Sequence, residues 1–427
     1  MDTRIQELTA FLDASHSVYH VTAALRAMLE DAGYTCLQES RDWKLQAGGK
    51  YYMTRGGSAL IAFRIPETDA EGFVMSAAHT DHPTFKVKEN GELTGKYIRL
   101  AVERYGGMLM STWLDRPLSI AGRVLVETEN GVQSKLVDID RDLLLIPNVA
   151  IHMNRKANEG YAWNPAVDML PLMGDADAAG KLEALLQETA GGKILGHDLS
   201  LYVRQKSAVW GLEEEYISGP ALDDLVCIWA CAKGFLQAKD SRSIPVLCAF
   251  DCEEVGSGSA QGAAATLLED VLTRICVDRD LDLHQMLAQS FMVSADNAHA
   301  VHPNHPEYAD ATNAPVMGGG IVLKFNAAQK YTTDGVSAAL LRKVCAEAGV
   351  PVQTYYNRAD LPGGSTLGNI SLAHVSVPSV DIGIGQLAMH SCYETAGVKD
   401  VGYLLDAMTV YYGKTLLCPA DGNYILE

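Results

Sequence analysis

The chain predicts an α/β protein: a mixed-sheet unit interrupted by an inserted β-rich segment. Three observations carry this expectation. Short apolar runs bounded by polar residues or glycine, at 73–78, 244–250, 291–295 and 377–384, read as buried strands. Stretches with helical period flank and separate them. Between about Phe85 and Ser218 the texture changes to short β-like runs divided by Gly, Asn and Asp turns.

In order along the chain, Ile5, Leu8, Phe11 and Leu12, then Ala24, Leu25, Met28 and Leu29, recur with helical spacing, and Gly33 is a natural stop. His16 and His20 lie in this region and read as packing or surface residues. The segment LIAFRIPETDAEGFVMSAAHTD predicts two strands around a turn. The runs YIRLAVERYGG, LSIAGRVLVET and SLYVRQKSAVWGL, with one helical stretch KLEALLQETA, make up the insertion, placed at 86–218; residues 1–85 and 219–427 form the interrupted unit. GPALDDLVCIWACAKGFL predicts an amphipathic helix beginning at Asp223, whose free amides would orient an acidic side chain. VKDVGYLLDAMTVYYGKTLL predicts a packing helix that closes the chain.

Composition bounds the function. With 427 residues and 48% hydrophobic content the chain can bury a large core. A formal net charge of −19 argues against nucleic acid as a partner. No apolar run is long enough to span a bilayer, and MDTRIQEL lacks a signal-peptide pattern, so a cytoplasmic protein without membrane partners is expected. Nine cysteines in such a chain predict thiols rather than a disulfide framework, and Cys227 and Cys231 read as core.

The chemistry is concentrated at strand ends. One run ends in His79-Thr80-Asp81, the next delivers Asp251, Cys252, Glu253 and Glu254, another ends at Asp296, and the last leads to His390. In open α/β sheets the ligand crevice lies outside the carboxyl ends of the strands. Mixed imidazole and carboxylate donors suit zinc, cobalt or manganese, and a shared carboxylate is the usual device for holding two ions about 3.5–4 Å apart. Asp223 is the expected bridge, with His79 and Asp296 completing one ion and Glu254 and His390 the other. Asp81 stands where it can fix the His79 tautomer. Consecutive strand residues point to opposite faces, so Glu253 is left as the base that deprotonates a metal-bridging water.

Three lookalikes are weaker. GSGSAQG lacks the Gly-Lys-Ser or Gly-Lys-Thr ending of a phosphate-binding loop. His299, His302 and His305 recur every three residues, but Pro303 and Pro306 break any helix that would align them. Ser365 has no nucleophile elbow around it.

HTDHP, GPALDDL, DCEEVGS, SADNAHAVHPNH and MHSCYE are similar in order and spacing to the signature segments of the M18 family of metallo-aminopeptidases. FLDASHSVYH, GGKYYMTRGGSALIAF, TWLDRPLSIAGRV, IPNVAIHMNR and GGSTLG extend the resemblance over nearly the whole chain. It implies a mixed-sheet zinc-exopeptidase fold, two zinc ions, and removal of one N-terminal residue, often Asp or Glu, from peptides. The metal and base positions it implies fall on the residues already named. It also implies that the insertion serves subunit pairing, in a homo-oligomer of dimers assembling to a tetrahedral dodecamer. In that arrangement His152 of IPNVAIHMNR reaches a neighbouring subunit's active site and stabilises the transition state.

An acidic chain repels acidic peptides at long range, so a preference for Asp or Glu needs a local cation. Lys324, in a strand beside the family's substrate pocket, is the candidate for substrate binding. Asp224, Gly363 and His82 depart from the residues usual at their positions and alter the pocket's charge and shape. The alternatives are an aminopeptidase for neutral residues and a non-catalytic scaffold or cargo homologue. Carboxypeptidases and deacylases of the same chemistry place the added domain after the Glu pair, whereas here it precedes Asp223.

Overall fold

The computed structural model describes residues 2–361 and 363–427. The chain opens with α1 (Thr3–Ala14) and α2 (Val18–Asp31), whose buried stripes include Ile5, Leu8, Leu12, Val21, Leu25 and Leu29. Gly33, at φ +82°, turns the chain out of α2. β1 (Thr35–Cys36), β2 (Lys50–Arg55), β3 (Ala59–Arg64) and β4 (Phe73–His79) follow. The chain then leaves for a second sheet built from β5 (Thr84–Leu93), β6 (Tyr97–Tyr105), β7 (Leu118–Thr128), β8 (Gly131–Asp138), β9 (Leu172–Asp175), the helix α3 (Lys181–Ala190) and β10 (Ile194–Val203).

On its return come β11 (Ala208–Trp210), β12 (Tyr216–Gly219), α4 (Leu222–Gln237) and β13 (Ile244–Phe250). Next are α5 (Leu267–Arg279), α6 (Leu283–Ala288), β14 (Phe291–Ala295), β15 (Ala298–His299) and β16 (Ile321–Phe325). α7 (Gly335–Ala348), β17 (Val352–Tyr356), α8 (Leu367–Ser371), β18 (Ser379–Gly383), β19 (Gly385–Leu387) and β20 (Glu394–Gly397) lead to α9 (Val398–Tyr412). The hairpin β21 (Leu416–Ala420) and β22 (Asn423–Leu426) ends the chain, so α9 does not close it.

Nine strands form the central mixed sheet in the order β1-β2-β3-β13-β4-β14-β18-β16-β17. Its middle, β13-β4-β14-β18, is parallel, and β3 and β16 run antiparallel to their inner neighbours. The two strands expected around the turn at 65–72 are β3 and β4, and β13 lies between them in the sheet. Side chains alternate across the sheet: Val74 and Ala78 enter the core under α1, α2, α4, α7 and α9, while Phe73, Met75 and Ala77 face α5, α6 and α8.

The helix α4 is buried on every side except at Lys233, Leu236 and Gln237, which corrects the amphipathic expectation. It is wedged between the sheet and α9, and Gly234 allows the approach: a Cβ there would stand 2.7 Å from the Met408 Cβ.

The inserted sheet, in the order β8-β7-β10-β5-β6-β9, is antiparallel throughout and has its own core around Phe85, Ile120, Val124, Leu144, Leu199 and Leu201. It ends at Val203, earlier than the expected boundary at 218. β11 and β12 pair instead into a five-stranded sheet, β11-β12-β20-β19-β15, on the side of the interrupted unit. Short β runs on either side of that border look alike in sequence, and only strand pairing separates them. No helix among the described residues is long and apolar enough to cross a membrane.

Candidate metal and catalytic site

The parallel strands β13, β4 and β14 end at one edge of the central sheet, Phe250 lying opposite His79 in the register. They deliver His79, the turn at 251–255, and Asp296 to one place. Asp223 arrives from the start of α4, where it and Asp224 have non-helical dihedrals joined by a cis peptide. His390 arrives from the loop after β19, with φ +66°. A cavity of about 310 Å³ is lined by His79, Asp223, Glu253, Asp296, Lys324 and His390, among others.

The two imidazoles are held alike. His79 Nδ1 stands 3.0 Å from the carbonyl oxygen of Asp81, and His390 Nδ1 stands 2.5 Å from that of Gly107. A carbonyl only accepts, so in the neutral rings the proton sits on Nδ1 and the Nε2 lone pair points inward. Both point at one carboxylate: His79 Nε2 is 3.5 Å from Asp223 Oδ1, and His390 Nε2 is 3.5 Å from Asp223 Oδ2 and from Glu254 Oε2. Donors about 2.0–2.1 Å from one tetrahedral ion stand about 3.3 Å apart, which these separations approach. The Asp223 carboxylate thus faces two imidazoles, and among the described residues no helix amide donates to it.

Asp81 holds more than a tautomer. Its carboxylate lies 3.4 Å from His79 Nδ1 and accepts from the Glu253 and Glu254 amides at 3.1 and 3.2 Å and from the Tyr105 hydroxyl at 2.6 Å. The strand ends at Phe250, and after left-handed Cys252 the two glutamates occupy a 3₁₀ turn. The alternation used to divide their roles therefore does not apply. The turn separates them instead: Glu254 reaches His390, and Glu253 lines the cavity.

The cluster is short of positive charge. Asp81, Asp223, Asp224, Glu253, Glu254 and Asp296 surround two imidazoles and one lysine. Burial raises Glu253 to about 7 and Glu254 well above the ordinary range, and nearby Asp223 adds to both. Burial opposes a charge on His390, yet Asp223 and Glu254 lift it to about 10. Burial likewise opposes a charge on His79, and Asp224, Asp223 and Asp81 overcome it. The surrounding carboxylates thus raise the proton affinity of both imidazoles.

Three buried carboxylate oxygens of this cluster, Asp223 Oδ1, Asp224 Oδ1 and Glu254 Oε1, have no hydrogen-bond partner among the described residues. An unpartnered buried acceptor costs roughly 1–3 kcal/mol. The imidazole and carboxylate donors suit zinc, and the orphaned oxygens supply what a cation would satisfy. Possible three-residue metal groups are His79 with Asp223 and Asp224, His79 with Glu253 and Glu254, and Asp223 with Glu254 and His390. Asp296 lines the same cavity but belongs to none of these groups.

Lys324 requires a correction. Its ammonium, 2% exposed, donates to the Asp296 carbonyl at 2.8 Å, to Asp296 Oδ1 at 3.1 Å and to the Asn297 carbonyl at 3.3 Å. All three N–H donors are committed, so none remains for a substrate carboxylate. Lys324→Met leaves Asp296 buried without its countercharge and is expected to cost about 3 kcal/mol, read by urea unfolding in the presence of chelator.

His152 lies in an exposed loop and does not line this cavity. Asp224, buried, accepts the His79 amide at 3.2 Å. Gly364, Ser365 and Thr366 line the cavity. The sequence reading missed Tyr105, which sits in the insertion with no local signal, and Glu394, whose carboxylate meets the backbones of Asp223 and His390. A clue to Glu394 stood in MHSCYE, four residues beyond the histidine.

The family model for aminopeptidase I zinc metalloproteases (M18) matches residues 11–412. A probable M18 family aminopeptidase 2 from Clostridium novyi is 41% identical over 423 residues, covering 95% of this chain and 98% of that protein. A protein of the same description from Pseudomonas aeruginosa is 40% identical over 424 residues, covering 96% and 98%. Among solved structures, the cryo-EM structure of the Ape4 and Nbr1 complex superposes with a TM-score of 0.93 at 34% identity, covering 96% of this chain and 85% of that one. The mApe1 dodecamer of S. cerevisiae does so with a TM-score of 0.84 at 28% identity, covering 96% of each.

Proposed function

The chain belongs to the M18 family of zinc metallo-aminopeptidases, and from that premise we propose that it removes a single N-terminal residue, with a preference for Asp or Glu, at a two-cation site. The observation that carries this reading is the Asp223 carboxylate between two tautomer-locked imidazoles, beside buried carboxylate oxygens without partners. Asp223 would bridge, His79 and Asp296 would hold one cation, and Glu254 and His390 the other.

Held by these residues, divalent cations, zinc in this family, would supply Lewis acidity toward the scissile carbonyl and toward water. The chain's own residues do the rest. Glu253, at the cavity wall, takes the proton from the attacking water and returns it to the leaving amine. Asp81 fixes the turn that carries Glu253 and the ring of His79. The cavity carboxylates favour the free α-amino group of a peptide and disfavour blocked N-termini.

Acidic specificity has indirect support. Lys324 lines the wall, and although its donors are committed to Asp296, its charge offsets the carboxylates that an acidic side chain would meet. A panel of N-terminal-residue substrates, assayed with zinc, cobalt or manganese and a chelator control, tests the proposal. Metal-dependent cleavage with Asp or Glu at least about tenfold above Leu or Ala supports it; preference for neutral residues removes the acidic specificity, and no cleavage with both ions bound moves a scaffold role forward.

The reading extends to assembly. Ile151 and Met153, 48% and 85% exposed, flank His152 in the inserted unit. With Val149, 50% exposed, they put three apolar side chains on one loop beside His152, which supports a second copy covering this loop and receiving His152 at its active site. Dimers joining to a tetrahedral dodecamer are the proposed end point, to be read by native mass spectrometry. The nine free thiols fit a cytoplasmic setting.

A further inference from the structure

Glu394 sits at the start of β20, 1% exposed, its backbone paired with Gly219 of β12. Its two carboxylate oxygens serve different masters. Oε2 accepts the Asp223 amide at 2.9 Å, and Oε1 accepts the His390 amide at 2.6 Å. These amides belong to segments far apart in sequence, one opening α4 and the other in a loop where Ala388 and His390 both have positive φ. The same two residues face each other through their side chains, His390 Nε2 lying 3.5 Å from Asp223 Oδ2.

We infer that Glu394 is a positioning residue that fixes the separation of the bridging carboxylate and the second imidazole, and so sets the affinity of the cation held between Asp223, Glu254 and His390. This rests on the two-cation reading proposed above. Both partners of Glu394 are N–H donors, so a side chain with two acceptor oxygens is required. Gln has the same shape but only one acceptor; its NH₂ would face an N–H and leave that amide buried without a partner. The cation at Asp296 and His79 shares only Asp223 with this clamp, whereas the other uses both clamped residues, Asp223 and His390, so the effect falls more heavily on that second ion.

The test is metal titration of full-length Glu394→Gln against a chelator of known zinc affinity, beside wild type, with far-UV circular dichroism and melting of both metal-free proteins. The zinc held by Asp223, Glu254 and His390 is expected to bind about 10–100-fold more weakly than in wild type, the range for residues that orient ligands, while the other zinc loses less. Excess zinc restores kcat to within a few-fold of wild type, which a merely structural lesion does not permit. Glu394→Asp keeps the charge but is too short to reach both amides; it is expected to show the same selective weakening and serves if the Gln variant melts early. Two zinc ions bound with wild-type affinity by both variants overturns the clamp alone. Equal weakening of both ions overturns its selectivity and, with it, the inference. Failure of wild type to bind two ions overturns the metal-site reading on which it stands.

Discussion

Replacing Glu253 by Gln leaves both ions bound and lowers kcat by about 10²–10⁴-fold, the usual contribution of a positioned general base. The variant keeps the shape of the cavity wall and one oxygen donor, and Glu253 is absent from the 3.5 Å imidazole–carboxylate contacts on which the two proposed cation positions rest, although it lies near His79 and Glu254. Metal content measured on the purified variant should therefore match wild type while turnover collapses. The pH profile adds a sign. Burial raises the Glu253 carboxyl to about 7 in the metal-free protein, and nearby cations pull it lower. A base must be ionised, so wild-type kcat/KM falls as pH drops through a value at or below neutrality, and the Gln variant loses that limb. Near-normal turnover of Glu253→Gln would exclude it as the base.

Asp223→Ala should remove metal and activity together. Its two oxygens each face a different imidazole at 3.5 Å, so one substitution strips a donor from both cation positions. Affinity is expected to fall by more than about 10²-fold, beyond the range seen for residues that only orient ligands, with activity falling to background at ordinary zinc concentrations. The substitution also changes the metal-free protein. Burial opposes a charge on Asp223, yet His390 and His79 hold its carboxyl below the ordinary value. Without it the imidazoles lose an anionic partner and their affinity for protons falls. NMR titration of the histidines in chelator would show that shift, and unchanged zinc stoichiometry in the alanine variant would sink the bridging role.

Much of this site was legible because strand ends are simple to read. An apolar run of five to seven residues that stops at His or Asp places that residue at a sheet edge, and three such runs in parallel bring their ends together whatever the loops do. His79, Asp296 and the 251–254 turn are candidates on that ground, and Asp223 on its place at the start of an expected amphipathic helix. The division of labour between Glu253 and Glu254 was reached by a strand argument that the chain does not obey, since Cys252 turns left-handed and the pair sits in a 3₁₀ turn. The last strand of the inserted sheet ends at Val203, before the expected border at 218, and short β runs carry no mark of which sheet they join.

What the sequence by itself determined was the alternation of elements, the donor types and their order, all set by local patterning and side-chain chemistry. Only the tertiary structure decided the partners. It spent the Lys324 ammonium on Asp296, set Tyr105 from the inserted sheet against Asp81, turned both Nδ1 atoms onto carbonyls, and laid one carboxylate, Glu394, across the amides of Asp223 and His390. Four of those pairings join residues 24 to 283 positions apart, and only His79 with Asp81 and His390 with Glu394 are near neighbours in sequence. A hydrogen bond is satisfied by whichever donor the fold brings within about 3 Å, and nothing in the local pattern of either residue encodes that distance.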